Sequence, residues 1–148
     1  MPRRKSSSDD PCPVARSVDV IGDRWSLLIV RDAFDGVRRF GDFQRSLGVA
    51  RNILSDRLHQ LVEAGILATR PASDGTAYKE YVLTEQGERL FPVVVALRQW
   101  GENHLFAQGE PHSRLVDRKT GKPIPFMAPR AGNGDELAPG EAEVRKLT

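Results

Sequence analysis

Apolar positions fall at helical spacing over the first half of the chain, alternate after Gly65, return to helical spacing, and then thin out toward the C-terminus. Val14, Val18 and Ile21 share one helical face, and Gly22 stops that run. Asp23 stands where a cap would start the next helix, in which Trp25, Leu28, Ile29 and Ala33 recur at helical spacing. Asp35-Gly36 predicts a turn, VRRF a short strand, and Gly41 to Leu47 a third helix with Phe43 and Leu47 facing inward. In the next helix Leu54, Leu58, Leu61 and Val62 fall at i, i+4, i+7 and i+8, a single apolar stripe that ends at Ala64-Gly65.

Beyond Gly65, ILATRPA and TAYKEYVL each suit a strand, and the SDG between them predicts a hairpin turn. Thr84 is placed to cap a following helix, which Pro92 interrupts or restarts. From Pro92 to Phe106 apolar residues cover more than one face, so one side packs on the domain and the other calls for a partner. SRLVDR and PIPFMA predict a minor hairpin around Lys119-Thr120-Gly121-Lys122, and the chain past Pro129 has too little apolar content to order itself. The pattern divides the chain into a flexible arm over 1–11, a domain over 12–107, and an extension over 108–148 made of a small hairpin and a disordered tail.

The order helix, helix, short strand, helix, helix, hairpin, helix is that of a mainly α fold with a small β-wing, a winged helix-turn-helix. In that arrangement the second helix of the pair enters the major groove with its N-terminal residues against base edges. Arg51, Asn52 and Ser55 occupy that end. Arginine can pair bidentately with guanine, and asparagine with adenine. Arg38, Arg39, Arg45 and Arg57 surround them against only Asp42 and Asp56, and His59 lies one turn further along. Arg57 sits near the buried face and suits a structural ion pair as well as a phosphate. In the wing, Arg70 and Lys79 flank the turn, within reach of phosphates or a minor groove. Without the motif, periodicity alone reads these residues as an ordinary solvated face.

Composition adds limits. The 148 residues carry a formal charge of only +2, so the basic excess is local rather than global. One cysteine, Cys12, rules out an internal disulfide and suits a reducing cytoplasm. The N-terminus MPRRKSSSDD lacks the apolar stretch of a secretory signal, and no apolar run approaches bilayer length. His59, His104 and His112 show no metal-ligand spacing, TGKP lacks a phosphate-binding glycine loop, and no nucleophilic triad stands out, so neither metal nor cofactor is expected. Trp25 and Trp100, at helical spacing, read as core or interface packing.

The chain from Cys12 to His104 resembles the HxlR-type winged-helix transcriptional regulators. The landmarks are Cys12-Pro13, Gly22 with Trp25, Arg39-Phe40, the run from Leu54 to Ile66, Glu80-Tyr81, Leu83-Thr84-Glu85 with Gly87, and Trp100-Gly101. The resemblance implies a cytoplasmic homodimer on pseudo-palindromic operator DNA, a repressor with an unidentified small-molecule effector. Its first and last helices would pair through Val14, Val18, Val93, Leu97 and Trp100. It also makes Cys12 a candidate redox or electrophile sensor, against the plainer reading of a small packed thiol. Two departures stand out: Ala50 replaces the serine usual at the start of the recognition helix, and RPASDGTAYKEY replaces a proline-rich wing turn. A winged-helix protein–protein module is the alternative reading; a thiol reductase or peroxidase built on Cys12 is a distant third.

Overall fold

The computed structural model describes residues 9–147; most of the arm expected over 1–11 (residues 1–8), and Thr148 at the far end, lie outside the described residues. By compactness the chain divides after Phe91, which differs from the boundary expected near Gln108. The first unit contains α1 (Pro13–Ile21), α2 (Arg24–Phe34), α3 (Phe40–Leu47), α4 (Arg51–Glu63), β1 (Leu67–Pro71), β2 (Lys79–Leu83) and α5 (Glu85–Glu88). Helix α6 (Phe91–His104) opens on the last residue of that unit and otherwise belongs to the second.

Capping explains where the first helices begin. Pro13 occupies the first turn of α1, where its missing N–H costs nothing. Asp23 caps α2 by accepting from the backbone N–H groups of Trp25 and Ser26 at 3.1 and 3.0 Å. Gly48 ends α3 at φ 62°, a left-handed conformation that lets the chain turn directly into α4 and that a side chain would strain.

Ile29 and Val30 of α2, Phe43 of α3, and Leu54, Leu58 and Leu61 of α4 form the core, closed by Ile66 and Leu67 as the chain enters β1. Truncating any one of these large side chains to alanine would cost about 2–5 kcal/mol. Val62, expected on the same stripe, is half-buried, and so is Trp25. The face shared by Val14, Val18 and Ile21 splits: Ile21 is buried, whereas Val14 and Val18 are 69% and 51% exposed.

VRRF does not form the expected strand. Arg39 is already the extended N-cap of α3, which leaves too few residues for a ladder. One ladder-like bond survives, from the Tyr81 N–H to the Arg38 carbonyl at 2.7 Å. The wing is a two-stranded antiparallel hairpin in which Leu67 faces Leu83, Thr69 faces Tyr81 and Pro71 faces Lys79. Its second strand starts at Lys79 rather than Thr76, because residues 72–78 are taken up by the turn. There the Ala72 N–H donates to the Tyr78 carbonyl and the Thr76 N–H to Asp74 Oδ1.

Thr84 caps α5 as expected: its hydroxyl oxygen accepts from the Gly87 N–H at 3.0 Å. Pro92 restarts the chain as the second residue of α6, where a missing donor is tolerated.

In the second unit Val95 is buried, while Val93, Leu97 and Trp100 stand exposed on α6. Gln99 clips the extension to this helix. Its Nε2 donates to the Pro125 carbonyl at 3.1 Å, and its Oε1 accepts from the Met127 N–H at 2.9 Å. The hairpin expected around residues 119–122 is reduced to a single bridge between Val116 and Pro123. Past Pro129, where the sequence predicts only a disordered tail, the chain carries a bridge between Arg130 and Glu136 and a 3-10 turn over Pro139–Glu141. Polar turns and backbone bonds, rather than apolar burial, supply that local order.

Candidate nucleic-acid interface

Helices α3 and α4, joined by the tight turn at Gly48, present the N-terminus of α4 beside the wing. Arg51 is its first residue, with Asn52 next to it and Ser55 one turn on, and all three are exposed. Ala50 is the N-cap and supplies no side-chain hydrogen bond, so the departure noted in the sequence leaves this helix end without a side-chain cap. An uncapped N-terminus with its partial positive charge suits an anion.

The space between this helix end and the wing is an open cleft of about 680 Å³. Arg39, Phe40, Asp42 and Arg45 line it from the α3 side, Arg51 and Ser55 from α4, and Tyr78, Lys79 and Tyr81 from the wing. Three of its cations lie over rings: Arg51 over Phe40 at 4.8 Å, Arg39 over Tyr78 at 5.3 Å and Lys79 over Tyr81 at 5.6 Å. Each ring holds its cation by quadrupole attraction without neutralising it. Carboxylates reach two of the cleft's arginines, Asp42 pairing with Arg45 and Asp74 with Arg39. The Thr76 N–H and then the Arg39 guanidinium hold the Asp74 carboxyl down at about 2.

The structure thus brings Arg39, Arg51, Ser55 and Lys79 together. It treats the other sequence candidates differently. Arg38 is exposed beside the wing, with its carbonyl engaged by Tyr81. Arg57 turns inward: Nε donates to Asp23 Oδ2 at 3.0 Å, and the other arm of the guanidinium pairs with Asp56. Those carboxylates, Asp23 first, push the Arg57 pKa up. Of the two readings left open for Arg57, the geometry is that of the structural ion pair. His59 lies away from the cleft, beside Asp19, Gln60 and Glu63, with Nε2 3.5 Å from Glu63. Arg70 pairs through Nε with Glu80 at 3.1 Å. Burial pushes the Glu80 carboxyl up, but the hydrogen bonds from Arg70 and Ser73 outweigh it and hold the group below its usual range.

Sequence reasoning missed Phe40, Tyr78 and Tyr81 as lining residues and Asp74 as the partner of Arg39. Strand alternation could have found one of them, since Lys79 and Tyr81 are two apart on β2 and share a face. Cys12 is a free, exposed thiol at the N-cap of α1. Among the described residues no group of three or more His, Cys, Asp or Glu side chains could hold a metal ion, and no helix is long and apolar enough to cross a membrane.

Known proteins resemble this chain in sequence and fold. The family model for the HxlR-like helix-turn-helix matches residues 20–109. An uncharacterized HTH-type transcriptional regulator of Mycobacterium tuberculosis, Rv3095, is 49% identical over 92 residues, which are 62% of this chain and 58% of the relative; the chain thus spans little more than half of that protein. The crystal structure of PA1607, a candidate transcription factor, superposes with a TM-score of 0.91 at 52% identity, over 97% of this chain and all of that one. The redox regulator HypR in its oxidized form superposes at 0.58 with 32% identity, over 65% of this chain and all of its own. These relatives are regulators rather than enzymes. The chain is a winged helix-turn-helix protein and belongs to the HxlR-like helix-turn-helix family.

Proposed function

We propose that the protein is a cytoplasmic transcriptional regulator that binds a pseudo-palindromic operator as a homodimer and represses the genes beside it. The observation that carries the reading is the cleft in which Arg51 and Ser55 of α4 meet Arg39 and Lys79 across a space open to solvent. Arg51 and Asn52 read base edges, while Arg39, Arg38 and Lys79 hold phosphates. Ser55 serves either. Arg70 adds a weaker phosphate contact from the wing, since Glu80 already holds it. Arg57 supports α4 from behind. Two copies would set their α4 helices in successive major grooves, about 34 Å apart.

The exposed Val14 and Val18 of α1, and Val93, Leu97 and Trp100 of α6, support self-association, since each row is apolar and open to solvent. The exposed thiol of Cys12, together with the similarity to the redox regulator HypR, supports a response to oxidants or electrophiles. A small-molecule effector remains a second route of control within the same reading.

The test is an electrophoretic shift with the DNA upstream of the protein's own gene, repeated across a salt series. A shift that weakens steeply with salt is expected, because phosphate-bound cations displace counterions. Absence of any shift would favour a protein–protein module instead.

A further inference from the structure

Arg39, the N-cap of α3, is tied to Asp74 at the tip of the wing, 35 residues away in sequence. Asp74 is itself oriented by its turn: Oδ1 accepts from the Thr76 N–H at 3.1 Å, which leaves Oδ2 for the guanidinium. The pair is not sealed, since the two side chains keep 31% and 49% of their surface, so another anion can reach Arg39 from solvent. The remaining cations of the cleft differ. Arg45 pairs with Asp42 within α3 itself, and Arg51 and Lys79 pair with rings. Arg39 is the cleft cation bridged by a carboxylate from a different element.

We propose that Asp74 stands in for a DNA phosphate: it holds Arg39 across the cleft in the free protein, yields it to the backbone when a duplex enters, and so sets the affinity for DNA. This rests on the DNA-binding reading above. A carboxylate and a phosphate offer a guanidinium the same charge-assisted hydrogen bonds. An exposed pair of this kind is weak enough to be exchanged. Entry of a duplex therefore has to break the Arg39–Asp74 pair, and that loss is charged against binding. The penalty applies on any sequence, because phosphate contacts carry no base information.

The test uses the full chain with two duplexes of equal length, one from upstream of its gene and one of random sequence, followed by fluorescence anisotropy across a salt series. Asp74→Asn keeps an oxygen to accept from Thr76 but removes the charge; Asp74→Ser does the same with a shorter side chain. Both variants are expected to bind both duplexes about twofold to fivefold more tightly, the scale of an exposed ion pair. The gain should shrink as salt rises, because screening weakens the exposed pair whose loss produces it. In an Arg39→Ala background, Asp74→Asn should give no gain over Arg39→Ala alone. If both Asp74 variants bind equally or more weakly than the unaltered protein, the pair only positions the wing and the proposal fails. It fails too if the gain survives Arg39→Ala. If the unaltered protein binds neither duplex, the DNA-binding reading itself falls, a result distinct from the other two.

Discussion

Arg57 on α4 reaches Asp23, the cap of α2, with Nε donating to Oδ2 at 3.0 Å across 34 residues of sequence. One carboxylate therefore caps a helix and anchors the back of the helix that carries Arg51. Burial pushes the Asp23 carboxyl up, but its hydrogen bonds with Ser26 and its pairing with Arg57 prevail and leave it below the usual value.

The pH dependence of stability follows from that direction. A depressed folded pKa means that the stabilisation is complete above the unfolded value near 3.8 and is lost as pH falls through the lower folded value. Asp23→Ala should cost about 1–2 kcal/mol at neutral pH, one lost cap and one partly exposed pair. Urea unfolding between pH 7 and pH 2 should show the gap between variant and parent narrowing toward acid. A constant gap would mean that the carboxylate's charge contributes nothing.

Arg51→Ala should weaken binding to the operator by about 1–3 kcal/mol and relax selectivity at one base-pair position. Binding selections on a randomised site read this directly. Equal weakening on operator and random DNA would make Arg51 a phosphate contact instead. Arg57→Ala should leave the selected sequence unchanged while lowering the melting temperature.

Gly87→Ala tests the junction between wing and α5. A Cβ there would lie 2.2 Å from the Ile66 carbonyl oxygen and 3.1 Å from Leu83 Cδ2. That carbonyl is already fixed by the Thr84 N–H at 3.0 Å, so it cannot simply turn away. The substitution should destabilise the fold by about 1–3 kcal/mol, the range for overpacking. Thermal melting within 0.5 kcal/mol of the parent would contradict the close approach.

Cys12 should respond to oxidant. A mild disulfide-forming oxidant should yield a crosslinked species on a non-reducing gel, lost in Cys12→Ser, and should change DNA affinity in the parent alone. Oxidation that leaves DNA affinity untouched would reduce Cys12 to an incidental thiol.

Much of the architecture was legible in the sequence because its signals are local. Asp23 and Thr84 announce their helices by the donors within three residues, and the leucines of α4 mark their buried face by spacing alone. VRRF misled because its extended propensity is real, but the cap of α3 uses up its end. The order found past Pro129 was not legible because it comes from polar turns, which carry no apolar periodicity.

By itself, then, the sequence determined the succession of helices, the hairpin, and the exposed polar end of α4 where Arg51, Asn52 and Ser55 lie. Only the tertiary structure decided which cations face the cleft and what each one is already holding. Along the chain Arg39 and Arg57 both read as candidate phosphate contacts, although Arg57 also suits an ion pair. One is bridged by Asp74 across an open cleft, and the other is drawn inward by Asp23. Helical and strand periods reflect neighbours within a turn or two, whereas an ion pair spanning some thirty residues exists only after the fold has brought its partners together.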